Sequence, residues 1–407
     1  TAVLEWLLMR ALGALMLSLL PALAGAEGQL DLSVDLRLVA ADGRTSYLDG
    51  GLGKLRFDED HDGLQIGRLR AAWNQPIGEK LNLRIDASLW RLDDHNAFDL
   101  TEAYLEFRPY PIAGWRSRVR IGAFYAPISL EHRAAGWTNP YLINSSAINT
   151  WVGEELRTIG AEYSLEWLGT RSGHNFDAGL VAAIYGYNDP AGVLVASRGW
   201  TIHDRQTTLF GKVGEPGNGF VPGRVLFKEI DNRPGYYLGA HLRYLDRVEL
   251  RYTRYDNRAD PEAFDAGIND FAWLTTFDSV GLRVETAGGW TLIAQWLGGK
   301  TEIEPESGYE EWEFTATFAL LSKAVGRHRF SVRADWFDTD HVETSWSPPS
   351  EETGDALTAG YTYERDDHWS CAVEALQVKS DVSQRVLLGE TTRATERQLQ
   401  LLVRYTH

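Results

Sequence analysis

Residues 116–127 read RSRVRIGAFYAP, and residues 128–155 continue ISLEHRAAGWTNPYLINSSAINTWVGEE. In the first part Arg116, Arg118 and Arg120 alternate with Ser117, Val119, Ile121 and Ala123. Side chains two apart on a strand share a face. The strand therefore carries three guanidinium groups on one side and small or apolar groups on the other. A soluble sandwich would turn the arginines to water, whereas a membrane barrel would turn them to a wet lumen and the other face to lipid. From Pro127 to Glu155 no clear period appears for 29 residues. A connection of that length in a compact protein is functional or disordered.

Outward from this stretch, period two dominates. Leu30, Leu32, Val34, Leu36 and Leu38 alternate with Asp31, Ser33, Asp35 and Arg37. Arg68 and Arg70 stand opposite Leu69, Ala71 and Trp73, although Leu64 and Ile66 fall on the arginine face. Arg84 opposes Leu83 and Ile85, and Glu102 and Glu106 oppose Ala103 and Leu105. Continued to the end, the alternation gives sixteen strands of about ten to twelve residues, the length a tilted strand needs to cross an outer membrane. Every other connection is long: 40–63, 92–98, 127–155, 188–234, 257–275, 300–311, 338–354 and 380–395. Those between them are seven residues or fewer. Long loops at one end and short turns at the other are the mark of an all-β fold, a transmembrane antiparallel β-barrel with its termini in the periplasm. Trp73, Trp115, Trp167, Trp290, Trp369 and Tyr405 fall at the short-turn end, and Trp296, Trp312 and Trp336 at the other, as two interfacial belts would.

Composition narrows the function. The 407 residues are 44% hydrophobic with a mean hydropathy of −0.29, so no helical membrane bundle is present. A formal charge of −17 argues against a nucleic-acid partner. One cysteine, Cys371, leaves no intrachain disulfide and no cysteine metal cluster. Met9-Arg10, the apolar run Ala11–Leu20, Pro21 and the small residues to Ala26 read as a secretory signal cleaved before Glu27, with residues 1–8 an over-extended start. The expected mature barrel is 27–407.

The last strand alternates Leu399, Leu401, Val403 and Tyr405 with Gln398, Gln400, Leu402 and Arg404. It resembles the C-terminal strand of bacterial outer-membrane proteins that the barrel-assembly machinery reads, with His407 where that family usually has Phe. Sixteen strands with a long connection after the fifth are similar to the trimeric porins. RIGAFYAPISLE with the later ELRTIGAEY is similar to the phosphate-selective porin group. The resemblance implies a homotrimeric outer-membrane porin, a passive channel for small hydrophilic solutes or ions, whose loop 127–155 folds inward as the constriction. That loop carries Arg133 against Glu131, Glu154 and Glu155, a balance unlike a phosphate filter.

The expected pore lining is Arg68, Arg70, Arg84, Glu102, Glu106, Arg116, Arg118 and Arg120 from the wall, with Glu131, Arg133, Glu154 and Glu155 from the loop. A cationic wall facing an acidic loop would create a transverse field, whereas pairing of the same charges would merely satisfy them. The acidic connections 300–311 and 338–354 would concentrate cations, bind ions that bridge lipopolysaccharide, or simply be solvated. The alternative function is a closed or plugged outer-membrane barrel acting as a receptor or adhesion scaffold through loop 188–234. No enzyme is expected: Ser322 and His328 share outward parity across a short turn but lack an orienting third group. No cofactor or metal is expected either, since His203-Asp204 has no partner at metal-ligand spacing and GEPGNG (214–219) follows no strand-to-helix pattern.

Overall fold

In the computed structural model, residues 28–90, 98–213, 225–267, 269–344 and 347–407 are described. The expected signal segment 1–26 and the GEPGNG stretch lie outside them.

The alternating segments form sixteen strands. In chain order they are β1 Gln29–Asp42, β2 Gly63–Ile77, β3 Leu81–Leu89, β4 Asp99–Phe107, β5 Trp115–Phe124, β6 Thr158–Trp167, β7 Phe176–Gly186 and β8 Gly235–Tyr244. The second half is β9 Val248–Asp256, β10 Leu274–Glu285, β11 Trp290–Ile303, β12 Glu310–Val325, β13 His328–Thr344, β14 Glu352–Glu364, β15 Trp369–Val382 and β16 Arg393–Thr406. Each pairs antiparallel with its neighbour, and β1 pairs with β16 to close the barrel. Closure leaves no unpaired strand edge for lipid to meet.

The burial pattern is inverted relative to a soluble protein. Leu30 and Leu38 are 54% and 52% exposed, while Asp35 and Arg37 between them are 0% and 1% exposed. Apolar side chains outward and ionic ones inward make the outer wall a lipid-facing belt. Trp115, Trp290 and Trp369 stand exposed at the short-turn end.

Several expectations need correction. The misfit of Leu64 and Ile66 is a β-bulge: Asp35 pairs with Arg68 but Leu36 pairs with Ile66, so Gly67 is skipped and the parity flips. A side chain at Gly67 would collide with Arg37 Nε. Trp312 is not in the outer belt. It shares inward parity with Phe314, Ala316 and Phe318, is buried, and stacks on His341 at 4.2 Å. Ser322 lies on the same inward face and bonds Ser331 Oγ at 2.9 Å, whereas exposed His328 bonds Tyr361 at 2.8 Å. The two cannot act together. The acidic connections 300–311 and 338–354 are largely strand, because β11 to β14 extend beyond the expected span. What stays outside strands there is 304–309 and, among the described residues, 347–351.

Among the described residues, two α-helices lie in the long outer loops. α1, Ala147–Glu155, begins at Ser146, whose side chain accepts from Asn149 N, and every one of its nine residues is buried. α2, Val193–Arg198, belongs to the fourth outer loop. Together with inward side chains of the wall they build an apolar core within the lumen, containing Trp151, Trp200, Phe277, Phe314 and Phe318. A fully buried aromatic of this kind stabilises by roughly 1.5–3 kcal/mol relative to exposure.

Candidate functional site

The lumen has two unlike sides. On β10 to β12 the inward residues include Phe277, Ile293, Leu297, Phe314 and Phe318, and α1 packs against them. On β1 to β6 the inward residues include Asp35, Arg37, Arg68, Arg70, Asp86, Glu102, Arg120 and Glu162.

Most of that ionic wall is paired. Arg70 Nε donates to both oxygens of Asp86 at 2.9 and 3.0 Å, and Arg84 reaches Asp86 at 3.4 Å. Arg120 binds Glu162 through two bonds, 2.8 and 2.7 Å, while Arg118 reaches Glu162 at 3.3 Å and Glu106 at 3.8 Å. Arg116 Nε donates to Glu166 at 2.9 Å. Glu102 accepts from Tyr125 N at 3.2 Å. Arg68 differs. It is buried over the Trp90 ring at 5.1 Å and has no hydrogen bond or ion pair among the described residues.

The third outer loop, 125–157, folds into the barrel, but its glutamates are engaged within the loop layer. Glu131 accepts from Ser146 N and Oγ, both 2.8 Å, and from Asn149 Nδ2 at 2.9 Å, with Arg333 at 3.6 Å. Glu154 pairs with Arg198, with His203 Nε2 at 3.3 Å and with Arg205 at 3.5 Å. Burial alone would raise the Glu154 carboxyl, yet Arg198 and His203 hold it below the usual carboxylate range. Glu155 accepts from the Trp151 indole and from Leu194 N at 2.9 Å, and burial pushes it up to about 8. Arg133 is half-exposed and pairs with Glu249 on β9.

Two polar cavities of about 270 Å³ each lie along the wall, one against this loop and the other touching it at Pro127. One is lined by Arg84, Glu102, Arg120, His132 and Trp137, the other by Arg108, Arg116, Glu166, His241 and Arg243. Arg118, Pro127 and Arg251 border both. A stack of His132 on Trp137 (3.8 Å), Trp137 on Tyr125 (4.2 Å) and Arg157 over Tyr125 (3.4 Å) edges the first cavity. Of the expected residues, Arg84, Glu102, Arg116, Arg118 and Arg120 line these cavities. Arg133 stands beside them, through its contact with Glu249 next to Arg251. Arg68, Arg70, Glu131, Glu154 and Glu155 sit in packed regions.

Sequence reasoning missed the first and fourth outer loops as lumen elements. Asp204 enters the barrel and binds Arg37 Nη1 at 3.0 Å and Arg56 Nη1 at 3.2 Å. His203 stacks on Tyr47 at 4.7 Å, and Lys54 pairs with Glu352 at 2.7 Å. A usable signal was the density of His203, Asp204 and Arg205 beside Trp200 and Ile202 in one loop, since apolar and ionic residues together need a buried, paired setting.

No family model matches the chain. No curated protein matches it in sequence. Solved structures do. The outer membrane channel DcaP of Acinetobacter baumannii superposes with a TM-score of 0.56 at 12% identity, covering 94% of this chain and 98% of that one. An anion-selective porin from Comamonas acidovorans gives 0.51 at 12% identity, covering 94% and 100%. The trimer form of OmpT, an outer membrane protein of Vibrio cholerae, gives 0.50 at 10% identity, covering 93% and 99%. The fold is that of the outer-membrane porins. A closed sixteen-stranded barrel with its apolar face outward is an architecture of the bacterial outer membrane.

Proposed function

We propose that the chain is an outer-membrane porin, a passive diffusion channel for small hydrophilic solutes or ions, narrowed by loop 125–157 and assembled as a homotrimer. The observation that carries this reading is the pair of polar cavities sharing Arg118 and Arg251 along one side of the lumen. Charged side chains there replace part of a solute's hydration as it passes. The cavity lined by Arg108, Arg116, Arg118, Arg243, Arg251 and His241 has Glu166 as its lining carboxylate, so anions are favoured over cations. The trimer rests on the porin likeness. Export through segment 1–26, reading of β16 by the barrel-assembly machinery and contact of the outer rim with lipopolysaccharide belong to the same proposal.

A plugged barrel serving as a receptor is the second reading. Its support is that Trp200, Ile202 and His203 of the fourth loop are buried at 0–1% exposure inside the lumen. Single-channel recording in planar bilayers separates the two readings: discrete conductance steps support the porin, and their absence from folded protein supports the plug.

A further inference from the structure

Asp204 of the fourth outer loop is held by two arginines inside the barrel. Arg37 Nη1 donates to Oδ1 at 3.0 Å while Arg37 Nη2 engages Oδ2, so the guanidinium grips the carboxylate by both edges. Arg56 adds a third bond to Oδ1 at 3.2 Å. Beside them Arg68 is buried without an acceptor among the described residues, and Arg404 is already held by Asp35 at 2.6 and 2.7 Å. Among the described residues, the buried Arg37, Arg56 and Arg68 and the partly exposed Arg404 thus share two carboxylates (Asp35, Asp204), a surplus of two positive charges. Buried charge left uncompensated is costly, so the cluster has unused capacity for an anion. Asp204 keeps 13% of its side chain accessible, whereas Arg37 and Arg56 keep 0% and 2%.

Asp204 is also the anchor of its loop. Next to it, the His203 carbonyl accepts from Ser145 N at 3.2 Å and from Thr150 Oγ1 at 2.8 Å, which ties the loop to α1. Ile202 N donates to Lys54 O at 2.9 Å and Thr207 N to Gly153 O at 3.3 Å. The loop therefore cannot leave without stripping Arg37 and Arg56 of their carboxylate, unless another oxyanion replaces it.

We propose that the Arg37–Arg56–Arg68 cluster is a binding site for the carboxylate or phosphate group of a small solute. Asp204 occupies it as a tethered ligand, and exchange with the solute frees residues 199–209 from the lumen. This rests on the channel reading, because a solute must reach the site through the barrel mouth. The exchange is a displacement of one ion pair by another and forms no covalent bond.

The test is amide hydrogen exchange on the full-length barrel in detergent, which reads the loop whether or not the barrel conducts. The probes are inorganic phosphate and, separately, acetate, each against chloride at equal ionic strength. Several-fold faster exchange at the Ile202 and Thr207 amides with phosphate or acetate, but not chloride, is expected. Which of the two acts identifies the headgroup. Asp204→Asn should speed the same amides without added anion, and Arg68→Met should abolish the response in otherwise folded barrel. Equal exchange in phosphate, acetate and chloride overturns the proposal, as does an Asp204→Asn protein as protected as the native one.

Discussion

The indole of Trp151, on α1 of the third outer loop, stands edge-on to the ring of Phe314 on β12, with centroids 5.1 Å apart. Phe277 and Trp200 meet the same indole at 5.4 and 5.8 Å. This contact holds the loop inside the barrel on the apolar side and leaves the cavities on the ionic side. Trp151→Ala removes the largest side chain of α1 from that packing, at a cost of about 3–5 kcal/mol. The barrel strands remain, so the expected outcome is a loop cleaved by protease under conditions where the barrel still migrates as folded on a cold SDS gel.

Glu155 gives a pH dependence. In the unfolded chain it titrates as an ordinary glutamate, about 4.3, while in the folded loop burial raises it to about 8. A raised carboxyl pKa means the folded state holds a proton that the unfolded state has lost. Its stabilising contribution is therefore greatest below the unfolded value and declines as pH rises through the window to about 8. Protection of the α1 amides should fall across that window, and Glu155→Gln, which keeps an acceptor for Leu194 N, should flatten the slope. An identical slope in the variant would refute the assignment.

Glu131 is the hub of the loop's polar contacts, and Arg333 on β13 lies 3.6 Å away. Glu131→Ala leaves buried donors of Ser146 and Asn149 unmet and costs about 3–5 kcal/mol by the behaviour of broken buried pairs. Thermal melting followed through loop tryptophan fluorescence should shift down, with a smaller shift for Glu131→Gln.

Gly67 makes room for Arg37. In Gly67→Val the new side chain would run into Arg37 Nε from its first carbon, and the Arg37–Asp204 pair should break. Faster exchange of the Ile202 amide is expected, with the barrel's heat-modifiable mobility retained.

How much of this was legible in the sequence follows from polarity. On β1, Asp35 and Arg37 set against Val34 and Leu36 mark the faces unambiguously, and the strand and its lumen side are both readable. On β12, Phe314, Ala316, Phe318 and Leu320 face inward while Leu321 faces out, so both faces are apolar and parity alone could not place Trp312 or Ser322. The inward face is apolar there because it packs on Trp151, a long-range contact that no local pattern encodes. α1 was hidden for the same reason: Ser146 is a legible N-cap, but all of its faces are buried, which erases the helical period. Loop pairing was not readable at all, since Arg37 and Asp204 are separated by 167 positions. The arginines of β5 were found because alternation set their face, and their partners on β6 follow from register: Arg116 opposite Glu166 and Arg120 opposite Glu162.

Passage of solutes along the arginine side of the lumen is the claim on which the function depends. Single-channel recording of the purified protein in a planar bilayer, with a salt gradient, tests it most directly. Native protein should give discrete steps with a reversal potential favouring anions, and replacing Arg116, Arg118 and Arg120 together by Gln should move that potential toward cations. Absence of any conductance from heat-modifiable native protein, or a reversal potential unmoved by the triple substitution, would contradict the account.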